Sequence, residues 1–203
     1  MLTIYGHPMS TCTRKVLTTV TELALPHELH LVDFAKSEHK QEPHLSRQPF
    51  GRIPAIDHDG FAMFESRAIC RYLNEVGGGA LAPADAHGRA RMEQWLSVEA
   101  SEFSGNAMKF VYHHMFRRPQ EDAVLETAGK GLEAALRAVE PTLGKQLYLA
   151  GEQFTLADIA FMPYVEYTMG TPVKDIYAQY PAFMSWWGRV SERPSWRKVA
   201  GRA

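Results

Sequence analysis

The apolar residues of this chain change their spacing once, and the change falls at Gly77-Gly78-Gly79. Before those glycines, short alternating runs and stretches of helical spacing follow one another; after them every periodic stretch is helical. A chain divided this way is expected to fold as an α/β unit followed by an all-α one. The first part reads strand (Leu2 to Tyr5), helix (from Ser10, with Val16, Leu17, Val20, Leu23 and Ala24 on one face), and strand (His27 to Val32). This β-α-β order favours a parallel strand pair. A polar loop over 33–53 with room for one helical turn leads to a hairpin, Ala55 to Asp57 and Phe61 to Phe64 around His58-Asp59-Gly60. A helix from Ser66 closes the unit, with Ile69, Leu73 and Val76 on one side.

The expected domains are 1–76, a linker over 77–86, and a helical domain over 87–203. In the second, Met92, Trp95, Leu96, Phe103, Ala107, Phe110 and Met115 predict one helix of about 30 residues, bent at Gly105 and ended by Pro119. A second helix covers about 120–140. The third opens with a capping box, Thr155 at N-cap and Asp158 at N3, flanked by a Phe154–Ile159 staple. A fourth begins near Pro181 and carries Trp186 and Trp187.

With 203 residues, 45% hydrophobic, 22% charged and a net charge of −1, the chain reads as an ordinary globular protein. It lacks the clustered cations that phosphate backbones require, so nucleic acid is not an expected partner. No apolar run approaches the roughly 20 residues of a membrane span, and the N-terminus does not read as a signal peptide. Two cysteines, Cys12 and Cys70, make neither a disulfide framework nor a CxxC pair, and a cytoplasmic location is expected. "HELH" at 27–30 is one residue short of a zinc-protease motif, and no metal is expected.

Three segments could carry chemistry. In "HPMSTCTR", Ser10 stands where a strand ends and a helix starts. A serine there serves as an ordinary N-cap, or its hydroxyl donates to an anion that the helix N-terminus also favours. A thiolate would suit the position. Lowering a thiol pKa by about 2 takes ~2.7 kcal/mol, and one charge-assisted hydrogen bond supplies about 1.5–3 kcal/mol. Cys12, on the same turn, is the rival as a nucleophile, or else a small packed side chain. In "FGRIPAI", a cis Ile53-Pro54 bond would turn the N–H and C=O of Ile53 toward a peptide-like ligand; a trans proline at a strand start is the alternative. In "FESRAICRYL", Glu65 and Ser66 open a helix, where they form an acidic start with a serine cap, or else receive the ammonium and carboxylate of an amino acid.

Read together, "GHPMSTCTR", "EHKQEPHLSRQPFG", "GRIPA", "MFESRAICRYL", "LAGEQFTLADI" and "SERPSWRKV" closely resemble a glutathione transferase, most nearly of the phi class, along the whole chain. The resemblance implies a thioredoxin-like N-terminal domain and an all-helical C-terminal domain. It implies that Ser10 stabilises the thiolate of the co-substrate glutathione. It gives the glycine carboxylate to His39 and Lys40, the cysteinyl backbone to Ile53 and Pro54, and the γ-glutamyl end to Glu65 and Ser66. Where such sequences commonly carry Gln, this one has Arg52, which either adds a cation at the carboxylate or turns to solvent. Phe50 resembles a phenylalanine that contacts a partner subunit, which implies a homodimer. An apolar electrophile would sit beside Ser10, with Met9, Phe34, Met108, Tyr112, Phe116 and Tyr167 as candidates. Hydroperoxide reduction is a further activity open to such a site. Two alternatives stand beside transfer: a Cys12-dependent thiol transferase or reductase, and a non-catalytic binder of apolar ligands.

Overall fold

The structure is a computed structural model that describes residues 1–202. These form two compact units, residues 1–80 together with those from 194 onward, and residues 81–193. The described residues from Pro194 onward belong to the first unit and not to the helical one.

In the first unit, β1 (Leu2–Gly6) lies in a four-stranded sheet of order β2-β1-β3-β4. It pairs in parallel with β2 (His27–Leu31) and antiparallel with β3 (Ala55–His58), which pairs with β4 (Phe61–Phe64). Helix α1 (Thr11–Glu22) is the crossover between β1 and β2, and α3 (Ser66–Val76) packs on it. Ile4 and Ile56 are cross-strand partners, and both are fully buried along with Val16, Val20, Ile69 and Leu73. The long polar loop holds a 3₁₀ turn (Glu38–Lys40) and the one-turn helix α2 (His44–Arg47). The final helix α10 (Pro194–Val199) packs on α1, where Ser195 bonds Glu22 and Trp196 is fully buried.

In the second unit the expected 30-residue helix spans Ala86–Met115 and is interrupted twice. The α-helical stretches α4 (Ala86–Val98) and α5 (Ser104–Phe110) alternate with π turns at Glu99–Phe103 and Val111–Met115. Gly105 lies within α5, so the irregularity falls elsewhere than expected. The reason is a step of four. Trp95, Glu99, Phe103, Ala107 and Val111 are all buried, and on a pure α-helix each step of four drifts by about 40°. Wider π turns take up that drift and keep the row facing inward. Helices α6 (Asp122–Leu143), α7 (Leu156–Thr168), α8 (Val173–Tyr177) and α9 (Pro181–Ser191) complete the unit. Phe103, Phe161, Phe183 and Trp186 form its aromatic centre, with rings 4.8 Å apart for Phe103–Phe161 and 5.2 Å apart for Phe183–Trp186. The capping box on α7 forms as expected, and Phe154 and Ile159 are both buried beside it.

Candidate active site

Strand register brings the separated motifs together. Gly6 pairs with Leu31, Tyr5 with Ala55, and Ala55 with Phe64. The turn after β1, the loop after β2, the approach to β3 and the start of α3 therefore all lie at one end of the sheet. Those four segments carry Ser10, His39 and Lys40, Ile53, and Glu65 and Ser66.

The β1–α1 turn is fixed locally. The Ser10 N–H donates to the His7 carbonyl (2.9 Å), and Arg14 Nε donates to the Pro8 carbonyl (2.8 Å). A Cβ on Gly6 would come within 2.6 Å of Thr13 Oγ1, so only glycine lets β1 approach α1 this closely. Ser10 is the N-cap, its Oγ accepting from the Thr13 N–H at 3.2 Å. That bond uses an oxygen lone pair and leaves the hydroxyl hydrogen to be donated elsewhere. The capping role and the donor role, alternatives in the sequence, are compatible at this atom. Cys12 is half-buried at the second position of α1. Cys70 is buried, and desolvation pushes its thiol up to about 11, so it stays protonated.

The Ile53-Pro54 bond is cis. The residues before it are held by side chains. Gln48 Oε1 accepts from the Phe50 N–H (2.8 Å) and the Arg52 N–H (3.2 Å). His44 Nε2 bonds the Arg52 carbonyl at 2.7 Å; a carbonyl only accepts, so Nε2 carries the hydrogen. Lys40 Nζ donates to the Phe50 carbonyl (3.0 Å), its stem lying over Gly51, whose φ is +57°. The lysine expected at a ligand carboxylate thus also serves the loop. Arg52 is exposed, its guanidinium 5.9 Å from the Phe50 ring.

His39 stacks on Phe34 with ring centroids 4.4 Å apart, and its Nδ1 is buried without a hydrogen-bond partner. That desolvation, followed by the nearby charges of Lys40 and His44, holds its pKa below the usual imidazole value. Phe34, an electrophile-site candidate, thereby packs on the carboxylate-binding candidate. At the other motif, Glu65 adopts φ +70°. For a residue with a side chain such a backbone costs on the order of 1–3 kcal/mol, and this kind of strain concentrates at functional positions. Ser66, the first residue of α3, is 5% exposed. The first amides of α3 point out of its N-terminus beside it.

The family model described as "Glutathione S-transferase, N-terminal domain" matches residues 1–75, and the corresponding C-terminal domain model matches 103–194. The chain belongs to the glutathione transferase family. Glutathione S-transferase F7 of Arabidopsis thaliana is 32% identical over 97% of both chains. Glutathione S-transferase APIC of Nicotiana tabacum is 34% identical over 96% of this chain and 95% of its own. The crystal structure of glutathione transferase F7 from Populus trichocarpa superposes with a TM-score of 0.94 at 35% identity, covering 100% and 99% of the two chains. Glutathione S-transferase I from maize, solved in complex with an atrazine glutathione conjugate, gives a TM-score of 0.92 at 29% identity, covering 99% and 97%.

As a glutathione transferase, the protein must also accommodate an electrophile. Of the apolar candidates, Tyr112, Phe116 and Tyr167 come together in the helical unit, with centroids 6.3 Å and 6.0 Å apart along the row. Met108 lies one turn before Tyr112 and is half-buried. Met9 is exposed in the first unit. Phe50 is 60% exposed, its ring centroid 6.1 Å from that of Phe64. His44 and Gln48 were not singled out by sequence reasoning. Polar residues ahead of a proline look like loop chemistry, and only their burial reveals a task. Among the described residues no cluster of His, Cys, Asp or Glu is placed to hold a metal, and no helix is long and apolar enough to cross a membrane.

Proposed function

We propose that this glutathione transferase is of the serine type, phi-like, and acts in the cytosol as a homodimer in which Phe50 meets the partner subunit. Glutathione lies across the end of the sheet. Its γ-glutamyl group meets Glu65, Ser66 and the amides of α3. Its cysteinyl backbone pairs with Ile53, and its glycine carboxylate faces His39, Lys40 and Arg52. Ser10 donates its hydroxyl hydrogen to the sulfur, which becomes a thiolate as its proton leaves to solvent. The thiolate attacks the electrophile, a carbon–sulfur bond forms, and the leaving group departs with its electron pair. Positioning and thiolate stabilisation supply the rate. The Tyr112–Phe116–Tyr167 cluster offers the apolar surface for the electrophile. Organic hydroperoxides are a second substrate class open to the same thiolate.

The observation that carries this reading is the Ser10 hydroxyl: it caps α1 through its oxygen, a bond that does not use its hydrogen. Ser10→Ala should lower kcat for an aryl halide by about 10²-fold, the scale for one donor to a reacting anion, with the Kd for glutathione nearly unchanged. Cys12→Ser should leave turnover intact. Unchanged turnover in Ser10→Ala, or its loss in Cys12→Ser, would pass the reaction to the cysteine.

A further inference from the structure

The backbone between Phe50 and Ile53 shows a sharp change in hydrogen bonding. The Phe50 N–H goes to Gln48 Oε1, the Phe50 carbonyl accepts from Lys40, and the Gly51 N–H goes to the Gln48 carbonyl at 2.9 Å. The Arg52 N–H goes to Gln48 Oε1 and the Arg52 carbonyl accepts from His44. At the next residue this stops: among the described residues none of these loop bonds, and no bond of the β3 ladder, uses the N–H or C=O of Ile53. Gln48 and His44 are respectively 2% and 4% exposed. Two buried polar side chains thus spend their hydrogen-bonding capacity on a neighbouring main chain. Arg47, between them in sequence, lies over the Tyr5 ring of β1 at 4.1 Å and ties α2 to the sheet.

We propose that His44 and Gln48 are positioning residues for glutathione: by fixing the main chain of residues 50–52 they hold the N–H and C=O of Ile53 ready for the cysteinyl backbone. The inference rests on the reading that Ile53 pairs with that backbone. A two-point main-chain match is the pairing by which an extended peptide adds to a strand, and its strength depends on the receiving segment being ordered beforehand. Lys40 contributes a fourth side-chain bond to the loop but is also placed at the glycine carboxylate, so it cannot separate the two roles. His44 and Gln48 can, because neither is expected to touch the ligand. The contact they prepare is the same in the ground state and in the transition state, so its loss raises KM and spares kcat.

His44→Phe and Gln48→Leu keep volume and remove the bonds. Each should raise the KM for glutathione about tenfold, one to two hydrogen bonds' worth, with kcat at saturating glutathione within about threefold of wild type. His44→Gln, which keeps a donor, and Gln48→Glu, which keeps an oxygen able to accept both bonds, should recover most of the affinity. A residue that serves stability alone would lower the melting temperature and leave KM in place, and that result overturns the proposal. If the apolar variants fail to fold, amide hydrogen exchange in the wild-type protein gives the answer. The Arg52 N–H should be protected without ligand, while the Ile53 N–H should exchange quickly and become protected when S-methylglutathione is added. An Arg52 amide that exchanges as fast as that of Ile53 refutes the clamp. Failure of the wild type to bind S-methylglutathione refutes the glutathione reading and the proposal with it. Binding by the wild type with unchanged KM in the variants refutes the positioning role alone.

Discussion

His39 is the residue whose chemistry the fold alters most visibly. Its stacking on Phe34 buries Nδ1 and, with Lys40 and His44 close by, keeps the ring neutral at neutral pH. A glycine carboxylate arriving beside it would favour the charged ring and raise its pKa. The complex then holds more protons than the ligand-free protein at pH values between the two pKa values. Affinity should therefore strengthen as pH falls through the raised pKa of the complex and level off below the lowered ligand-free one. The carboxylate stays ionised across that range. Titrating S-methylglutathione, which has no thiol to confuse the profile, between pH 7.5 and 5.5 checks this. His39→Gln should flatten the curve, and a wild-type curve without slope would remove His39 from the carboxylate site. At this scale the sequence was informative about residue type and silent about environment. Ser10 and Glu65 were legible as helix-start residues, but that Ser10 Oγ accepts from the Thr13 N–H and that Glu65 holds a strained φ are facts of geometry.

At the scale of elements, the third helix of the second unit shows how much a local motif can bear. Asp158, read from sequence as the N3 partner of Thr155, is fully buried and accepts four bonds. They come from the N–H and Oγ of Thr155 (2.9 and 3.1 Å), the Leu149 N–H (3.0 Å) and Trp186 Nε1 (2.8 Å). Burial pushes its pKa up while these donors pull it down. One capping residue thus joins the start of α7 to the preceding loop and to α9. Asp158→Ala leaves several buried donors without an acceptor and should cost about 4 kcal/mol, given roughly 1–3 kcal/mol per orphaned group. The fall in the denaturant midpoint measures it; a loss below about 1 kcal/mol would reduce Asp158 to an ordinary cap. The long helix is the instructive contrast. Its existence was readable from apolar spacing, but its π turns were misplaced as a bend at Gly105. The signal was present in the step of four from Trp95 to Val111, which a search for the 3.6 period passes over. Glu99, a charged residue within that row, hides it further.

At the scale of the whole molecule, the first unit is not continuous in sequence. The chain leaves it after Ala80 and returns at Pro194. Trp196 on α10 is fully buried, and Ser195 bonds Glu22 on α1, the helix that carries Ser10 at its start. Trp196→Ala should destabilise the protein by about 3–5 kcal/mol, the usual range for removing a buried aromatic side chain. Ending the chain after Arg193 should lower the melting temperature and weaken glutathione binding together. Thermal unfolding followed with and without S-methylglutathione tests both effects, and a truncated chain that melts like the full one would show that α10 is dispensable.

The sequence by itself determined the elements and their order. Apolar period, capping residues and turn residues act over a few neighbours, so βαβ-ββα followed by helices, the hairpin at Asp59-Gly60 and the α7 capping box could all be read directly, and the motifs named the family. Only the tertiary structure decided how those motifs come together. Strand register gathers four distant segments at one end of the sheet, burial turns His44 and Gln48 from loop residues into a clamp on main chain, and the last helix returns to the first unit. Each of these depends on contacts between residues far apart in the chain, whose free energy exists only once the chain has folded, and no local pattern records them.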